Sequence, residues 1–581
     1  MALRYLLKVG AHKDSSAASP DEIPNRTGLA RIYAGSGVAL YCNQEECWAR
    51  IAGGRGLLVG QAFYRDGAAR YPIVANGETI KGDAGAHAAL ASIWGAFVTI
   101  STSDNRVTVA RDPSGLLPAY YVRHEEDWYF ASDAAALVEA GVMAPEVDWA
   151  QLGRTLYANE LPEARTVLMG VRQLLPGMAI ECRENPGQVT LAWTPWDYVK
   201  SRPPDADELR RTIIACLRAW GAQFDRALIG ISGGLDSSIV ATGLRRSTEL
   251  HGVTISTRDA QGDETIYARA LCDRLGISLA EEYYALDRVE IERSSYAHCP
   301  RPGGRAQLQA YDAAMLDVAR RLDTETFFTG VGGDNIFHFT KSARPLVDRY
   351  LAEGVSPRLV STLFDICRLT GAHAFRVIHE AMRVPRRGRQ KYRWKADKRF
   401  LSADTIAAAS TPLEHPWLDG PADSLPGKAA HVAFLIRTQQ YVDVHDRRWP
   451  TSTLHPLLSL PIIEACLAMP SWTACAGGVD RAYARSAFAA DLPAETLTRS
   501  VKNGPDGFAL AIMRHHLGRI RERLLDGELA KRGIIDREKM DIALREQSIV
   551  KGNDYPRILL LLDTEAWAEG WTAGAPAERP A

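Results

Sequence analysis

The sequence has no surplus of either charge: 69 Lys and Arg stand against 70 Asp and Glu in 581 residues, a formal net charge of −1. A chain so balanced has no bulk attraction for nucleic acid, and only a local basic patch could supply one. Metal-binding cysteine spacing is missing as well. The nine cysteines lie at 42, 47, 182, 216, 272, 299, 367, 466 and 475, with no two C-x-x-C pairs. That pattern argues against a structural zinc site and fits buried free thiols in a reducing compartment. Long apolar runs are absent too. The longest, 454–479, is broken by Pro456, Pro461, Glu464 and Pro470 and makes a poor membrane span. The opening Met-Ala-Leu-Arg-Tyr-Leu-Leu-Lys lacks the apolar core of a signal peptide. From these absences we expect a cytoplasmic protein with no membrane and no nucleic-acid partner.

What is present is globular composition, 46% apolar and 24% charged, which excludes a disordered or fibrous chain. At roughly 150 residues per domain, the length allows three or four domains or two large ones. The first two hundred residues read as β-rich. Short apolar runs at 56–61, 97–101, 106–111, 119–122 and 128–131 are separated by Gly, Pro, Asp and Asn. Segments 177–182 and 189–193 read as a hairpin around Asn185-Pro186-Gly187. The polar, proline-containing stretch 201–205 marks the expected boundary between a first domain, 1–200, and a second, 206–573. The rhythm then changes to helix at 206–220, strand at 227–231, helix at 237–245, strand at 252–256, helix at 264–275 and a strand within 325–330. Strands alternating with helices of this length predict a parallel α/β sheet. From about 341 the patterns are almost all helical, with 340–430 read as a helical substrate-binding insertion and 574–581 as a disordered tail.

The strongest chemical signal is Ile231-Ser232-Gly233-Gly234-Leu235-Asp236-Ser237-Ser238, at the end of a strand and the start of a helix. Glycines there let the backbone approach an anion, and the free N–H groups of the helix start point toward it. Ser232, Ser237 and Ser238 add hydroxyl donors, so the loop suits phosphate or pyrophosphate. The Gly-Lys-Ser/Thr of a Walker loop is missing, which excludes P-loop chemistry. Asp236 would repel phosphate unless a cation intervened, and that implies Mg²⁺. A second cluster, Thr329-Gly330-Val331-Gly332-Gly333-Asp334, also follows a strand. Alone it reads equally as a turn. Loops at strand carboxyl ends meet at the ligand crevice of an open α/β sheet, so Asp334 is placed to give the same Mg²⁺ a second carboxylate.

The Ser232–Ser238 loop, the Asp263-Glu264-x-x-x-Ala268 helix start and the Gly332-Gly333-Asp334 turn resemble the asparagine synthetase family of ATP pyrophosphatases. His455-Pro456-Leu457-Leu458 looks like the family's Pro-Phe-Leu segment, and Arg481-x-x-x-Arg485 before Leu492-Pro493 is similar to its Lys-x-x-x-Arg helix. Arg499-x-x-Lys502 looks like its Arg-x-Lys motif with one extra residue. Earlier in the chain, Trp94-Gly95-x-Phe97, Arg111-Asp112-x-x-Gly115-x-x-Pro118-x-Tyr120, Phe130-Ala131-Ser132, Leu174-x-Pro176-Gly177 and Trp193 resemble its glutaminase. The resemblance implies a fold of mixed class, α+β followed by α/β. A β-rich, class II glutamine-amidotransferase-like domain would precede a parallel-sheet ATP pyrophosphatase domain, adenine nucleotide α-hydrolase-like, with a helical extension. It implies ATP and Mg²⁺ as cofactors and carboxylate activation to an acyl-adenylate that an amine attacks. On that pattern Ser232, Gly233, Gly234, Leu235, Asp236, Ser237 and Ser238 hold pyrophosphate, and Ile231, Ser256, Thr329 and Gly330 line the nucleotide. Asp236 and Asp334 bind the metal, and Lys502 stabilises charge developing on the α-phosphate.

Departures from the pattern narrow the expectation. The glutaminase nucleophile is a cysteine directly after the initiator methionine; here Ala2 stands there, and the first cysteine is Cys42. The resemblance therefore implies a degenerate glutaminase domain and an amine supplied by the substrate. Of the ring-closing branches, β-lactam synthetases carry a tyrosine three residues before the metal aspartate, where this chain has Val331. Asparagine synthetases carry Glu after that aspartate, where this chain has Asn335. Ser459 stands where synthetases have Asp, and the wording around it looks most like lasso peptide cyclases. Such cyclases join a side-chain carboxylate of a precursor peptide to its N-terminal amine, working with a leader peptidase and a leader-peptide-binding protein. A β-lactam synthetase, an ammonia-dependent asparagine synthetase and a non-catalytic precursor-binding scaffold remain as alternatives. The general base is not assigned: His338, Asp443 and His445 fall near the expected site. The basic run Arg386–Lys395 reads either as a groove for an acidic peptide or as a solvated face, and His298-Cys299-Pro300-Arg301-Pro302 as a pocket wall or a rigid loop.

Overall fold

Side chains alternating at a period of two build the first third of the molecule. The computed structural model describes residues 3–10, 22–51, 56–65, 79–80, 90–103, 106–182, 187–257, 264–304, 306–384, 392–442, 452–499, 506–545 and 554–574. Its first thirteen strands are β1 (Tyr5–Val9), β2 (Ala30–Gly35), β3 (Val38–Cys42), β4 (Trp48–Ile51), β5 (Gly56–Tyr64), β6 (Thr79–Ile80), β7 (Ile93–Ser103), β8 (Arg106–Arg111), β9 (Tyr120–His124), β10 (Asp127–Ala131), β11 (Arg172–Gln173), β12 (Met178–Glu181) and β13 (Gln188–Leu191). They form two sheets, ordered β11-β9-β10-β1-β3-β2 and β13-β12-β8-β7-β5-β4-β6. All pairings are antiparallel except β4 with β6.

Tyr5, Leu7 and Val9 of β1 face the second sheet and pack with Leu57, Val59, Val98 and Val109. Leu6, on the opposite face, packs with helices α1 (Ala134–Glu139) and α2 (Trp149–Ala158) and with the carboxyl-terminal helices. Arg111 closes β8 with its charge fully inside, 1% exposed. Its guanidinium donates to Leu117 O at 2.8 Å, Leu174 O at 3.0 Å and Gly115 O at 2.7 Å. Gly115 takes φ +71, and a Cβ there would meet the Pro176 ring at 2.6 Å. The Arg-Asp-x-x-Gly turn is thus a buried hydrogen-bond hub joining the two sheets.

Residues 201–205 contain neither helix nor strand. After them comes α3 (Ala206–Gly221), then β14 (Arg226–Gly230), α4 (Leu235–Leu244), β15 (Glu249–Ser256), α5 (Thr265–Leu275), β16 (Ser278–Tyr283), α6 (Ala306–Leu322), β17 (Thr326–Phe328) and α7 (Gly333–Ile336). The sheet runs β16-β15-β14-β17-β18, every pair parallel, and its last strand is β18 (Ser452–Leu454). β18 interrupts a region that the sequence reads as almost wholly helical; three residues beside β17 carry too little pattern to register. In the same way α4 begins at Leu235, two residues before the expected start, because Gly234 already serves as its N-cap.

The two halves share their interior. Phe63 and Trp94 stack at 4.6 Å, and Trp220 of α3 meets Phe63 edge-on at 4.9 Å. Trp196 Nε1 donates to Trp417 O at 2.8 Å. The His298–Pro302 segment connects three parts of the chain. His298 O accepts from Ala134 N at 3.0 Å, Pro300 O from Val167 N at 2.9 Å, and Cys299 O from Trp567 Nε1 at 3.0 Å. Replacing Arg111 with Met would keep volume while stranding three buried carbonyl oxygens. Each stranded group costs on the order of 1 kcal/mol or more, so Arg111→Met is expected to lower unfolding free energy by at least about 3 kcal/mol, measured by urea denaturation.

Candidate active site

Parallel strands β14 and β17 are neighbours, so the loops at their carboxyl ends lie side by side. Glycine makes that contact possible. A Cβ on Gly330 would lie 2.7 Å from Ser237 N, and one on Gly333 would lie 2.3 Å from Asp236 Cγ. Gly233 has φ +63, and its Cβ would strike Tyr267 Cβ at 2.1 Å. A side chain at Gly330 or Gly333 would push the two loops apart, and one at Gly233 would push the first loop from α5.

The contact brings Asp236, in the first turn of α4 and 6% exposed, beside Asp334 of α7. Both carboxylates accept from one atom. Arg481 Nη1 donates to Asp236 Oδ1 at 2.9 Å and Oδ2 at 2.8 Å, and to Asp334 Oδ1 at 2.5 Å. Its Nη2 donates to Asp480 Oδ2 at 2.8 Å. Arg481 adopts the left-handed conformation, φ 49 and ψ 39, at the N-cap of α8 (Ala482–Ala487). Burial alone would lower its pKa, but Asp236, Asp334 and Asp480 together raise it, so the guanidinium is charged. The sequence motif contains Arg481 but gives no sign that it bridges these two carboxylates.

Two carboxylates converging on one cationic atom fit a small divalent ion, which commonly takes one or two carboxylates and completes its shell with phosphate and water oxygens. Among the described residues no group of three or more His, Cys, Asp or Glu could hold a metal. An ion here would therefore take two protein carboxylates and complete its shell with water or nucleotide oxygens. The adjoining loop suits phosphate. The N-cap Gly234 offers α4 no side-chain hydrogen bond, which leaves first-turn amides for an anion. Ser238 Oγ donates to Gly234 O at 2.8 Å, and Ser237 Oγ to the same oxygen at 3.4 Å. Arg499 Nη1 donates to Ser232 O at 2.7 Å while its other arm pairs with Glu264, and the guanidinium lies 4.3 Å over the Tyr267 ring.

The remaining expected nucleotide residues sit on the same edge. Ile231 is buried and donates to Val253 O at 2.7 Å, Ser256 ends β15, and Leu235 is 2% exposed. Thr329 N donates to Leu454 O at 3.0 Å and its hydroxyl meets His455 Nδ1 at 2.6 Å. Ile231, Ser232, Gly233, Gly234, Leu235, Asp236, Ser237, Ser238, Ser256, Thr329, Gly330 and Asp334 thus all lie along the carboxyl-terminal edge of β14, β15 and β17. Lys502 lies outside the described residues, as do Asp443, His445 and Arg386 to Lys391.

Other candidates are used elsewhere. His338 is buried, stacked 4.6 Å from His431, and burial with nearby Lys428 and Arg344 pushes its pKa down to about 3. It is neutral and faces the interior. Cys42 is buried in β3, and its hydrogen bond with Cys47 together with burial raises its pKa. Trp394, in the aromatic end of the basic run, is 8% exposed and donates Nε1 to Ala158 O at 2.7 Å, so it offers no stacking face. Asn335 Nδ2 donates to Phe434 O at 2.6 Å, and Ser459 Oγ accepts from Trp220 Nε1 at 3.0 Å.

A β-rich glutamine-amidotransferase-like domain followed by a parallel sheet with a two-loop anion and carboxylate site defines the class of protein. Residues 224–569 match the asparagine synthase family, and residues 81–193 match the glutamine amidotransferase domain. The chain belongs to the asparagine synthase family, and membership implies an ATP-dependent ligase. No curated protein matches it. Similar solved structures include the allosteric regulatory enzyme of purine biosynthesis, with 11% identity, 48% of this chain and 80% of that chain covered, and a TM-score of 0.20. Another is glutamine phosphoribosylpyrophosphate amidotransferase from B. subtilis complexed with ADP and GMP, with 12% identity, 48% and 75% covered, and a TM-score of 0.19. At these scores neither likeness bears on the chemistry.

If Arg481 occupies the point a metal would take, removing it should expose that point. Arg481→Gln is expected to melt lower than the wild type without metal, because Asp236 and Asp334 then repel. Mg²⁺ or Mn²⁺ alone, without nucleotide, should raise the variant's Tm by about 2 °C or more and leave the wild type unmoved in differential scanning fluorimetry. An equal shift in both proteins would refute the assignment.

Proposed function

We propose that the chain is a lasso peptide cyclase. It would activate the side-chain carboxylate of an Asp or Glu in a precursor peptide with ATP and close a macrolactam with the peptide's N-terminal amine. The observation carrying the ATP pyrophosphatase reading is the convergence of the Asp236 and Asp334 loops on one cationic point beside an uncapped helix start. The preference for ring closure rests on Val331, Asn335 and Ser459, where other branches carry different residues.

Asp236 and Asp334 would hold Mg²⁺, which would neutralise phosphate charge. The α4 amides with Ser232, Ser237 and Ser238 would hold the departing pyrophosphate. The carboxylate oxygen attacks the α-phosphorus and pyrophosphate leaves; the amine then attacks the activated carbonyl, loses a proton and releases AMP. Lys502 would stabilise both charge-building steps. Holding carboxylate and amine in one pocket supplies the effective concentration that ring closure needs. The enzyme would act on a precursor peptide after a leader peptidase frees the amine, assisted by a leader-peptide-binding protein.

The test is pyrophosphate release from ATP and Mg²⁺ with leader-cleaved precursor peptide from a neighbouring gene, with free aspartate and ammonia as the control. Peptide-dependent release and a product lighter by one water are expected. Asp334→Asn and Lys502→Met should each reduce the rate about a hundredfold or more. Release with aspartate and ammonia alone would replace this reading with asparagine synthesis.

A further inference from the structure

The helical region after the second loop leaves an apolar face uncovered. Helices α9 (Pro357–Thr370) and α10 (Ala374–Arg383) lie between α7 and α8 in the chain, are joined by three residues and pack together. On α10 only Val377 is buried. Phe375 is 87% exposed, Met382 57% and Ile378 40%. At 3.6 residues per turn, these three lie within about 60° of one another and form one face. His379, Arg383 and Arg376 follow at about 40° to 100° from Phe375, along the rim of that face, while Glu380, the one acidic residue of the helix, lies about 140° away. Its ion pair with Arg383, at 3.7 Å, is exposed and weak. On α9, Val360 and Phe364 are half exposed at i and i+4, with the exposed Arg368 four residues on.

Charge reinforces the pattern. Between Lys341 and Arg399 the sequence carries 15 Lys and Arg against five Asp and Glu, in a chain whose net charge is −1. An apolar face rimmed by arginines, within a strongly basic segment, calls for an occupant that is both apolar and anionic. Phe375 and, before α9, Val355 at 84% exposure project into solvent.

We propose that this face docks on an anionic lipid bilayer, with Phe375, Ile378 and Met382 entering the interface and Arg376 and Arg383 reaching the headgroups. An amphipathic helix of this kind lies in the interface plane, and neighbouring basic residues draw it to anionic lipid. The attachment is peripheral, since among the described residues no helix is long and apolar enough to cross a membrane. The sequence expectation of no membrane partner rested on the lack of a spanning run and does not address surface attachment. The inference is independent of which substrate the active site takes.

The full-length protein should be sedimented with sucrose-loaded vesicles of phosphatidylcholine alone and of phosphatidylcholine with phosphatidylglycerol. It is expected to pellet with the second and to be released by high salt. Phe375→Ser with Met382→Ser should reduce partitioning about tenfold or more, and Arg376→Gln with Arg383→Gln about tenfold. Both double variants alter exposed positions and should keep the wild-type Tm. No pelleting of the wild type, or equal pelleting of the variants, overturns the proposal. So does a wild-type dimer that the Phe375→Ser, Met382→Ser variant converts to monomer without any vesicle binding, because a second copy would then cover the face.

Discussion

Asp236 and Asp334 carry like charge, and the loops that bear them can stay in contact only while a cation lies between. Arg481 Nη1 fills that place, at 2.8 and 2.5 Å from the two carboxylates. Its own position depends on a further set of bonds. Asp480 accepts from both Arg481 and Arg485, and Arg485 also donates to Thr496 O at 3.1 Å, Leu497 O at 2.9 Å and Arg499 O at 3.1 Å. Arg499 in turn reaches back to Ser232 O. The carboxylate pair, the α8 helix, the 496–499 segment and the phosphate-type loop therefore form one closed circuit of charge-assisted bonds.

Packing gives the first domain a physical role in the fold. Phe63, Trp94, Trp193 and Trp196 sit in the same core as Trp220, Ile229 and Ile231, which end at the phosphate-type loop. Leu6, Tyr120 and Leu137 share another core with Ile512, Leu559 and Trp567 of the carboxyl-terminal helices. Losing the domain would expose both cores, and burial of one large apolar side chain is worth about 2–3 kcal/mol. The β-sandwich thus works as a scaffold for the parallel sheet.

How much of this was legible in the sequence depends on how local the cause is. The glycine loops at 231–234 and 329–333 were legible because close backbone approach demands glycine wherever the chain folds back. Strands such as β8 and α3 as a helix announce themselves by period. β1, buried on both faces, shows no alternation; β16 is an exposed edge with a polar sequence; β18 is three residues long. The roles of Arg481 and Arg499 were not legible, because each bonds partners more than a hundred residues away along the chain. A motif supplies the residue type, whereas the partner is set only by which loops the sheet order places together.

The surroundings of Asp334 bear on what could be activated there. Val331 presents a neutral side chain, 37% exposed, and Asn335 spends its amide on Phe434 O, tying α7 to the helix Pro426–Thr438. Ser459 is held between Trp220 Nε1 and Pro456 O. Two of the three positions where the resemblance places ionisable groups have thus become packing anchors, and the third is aliphatic. None of these three side chains can carry a charge, so an amine arriving there must be positioned and deprotonated by other groups.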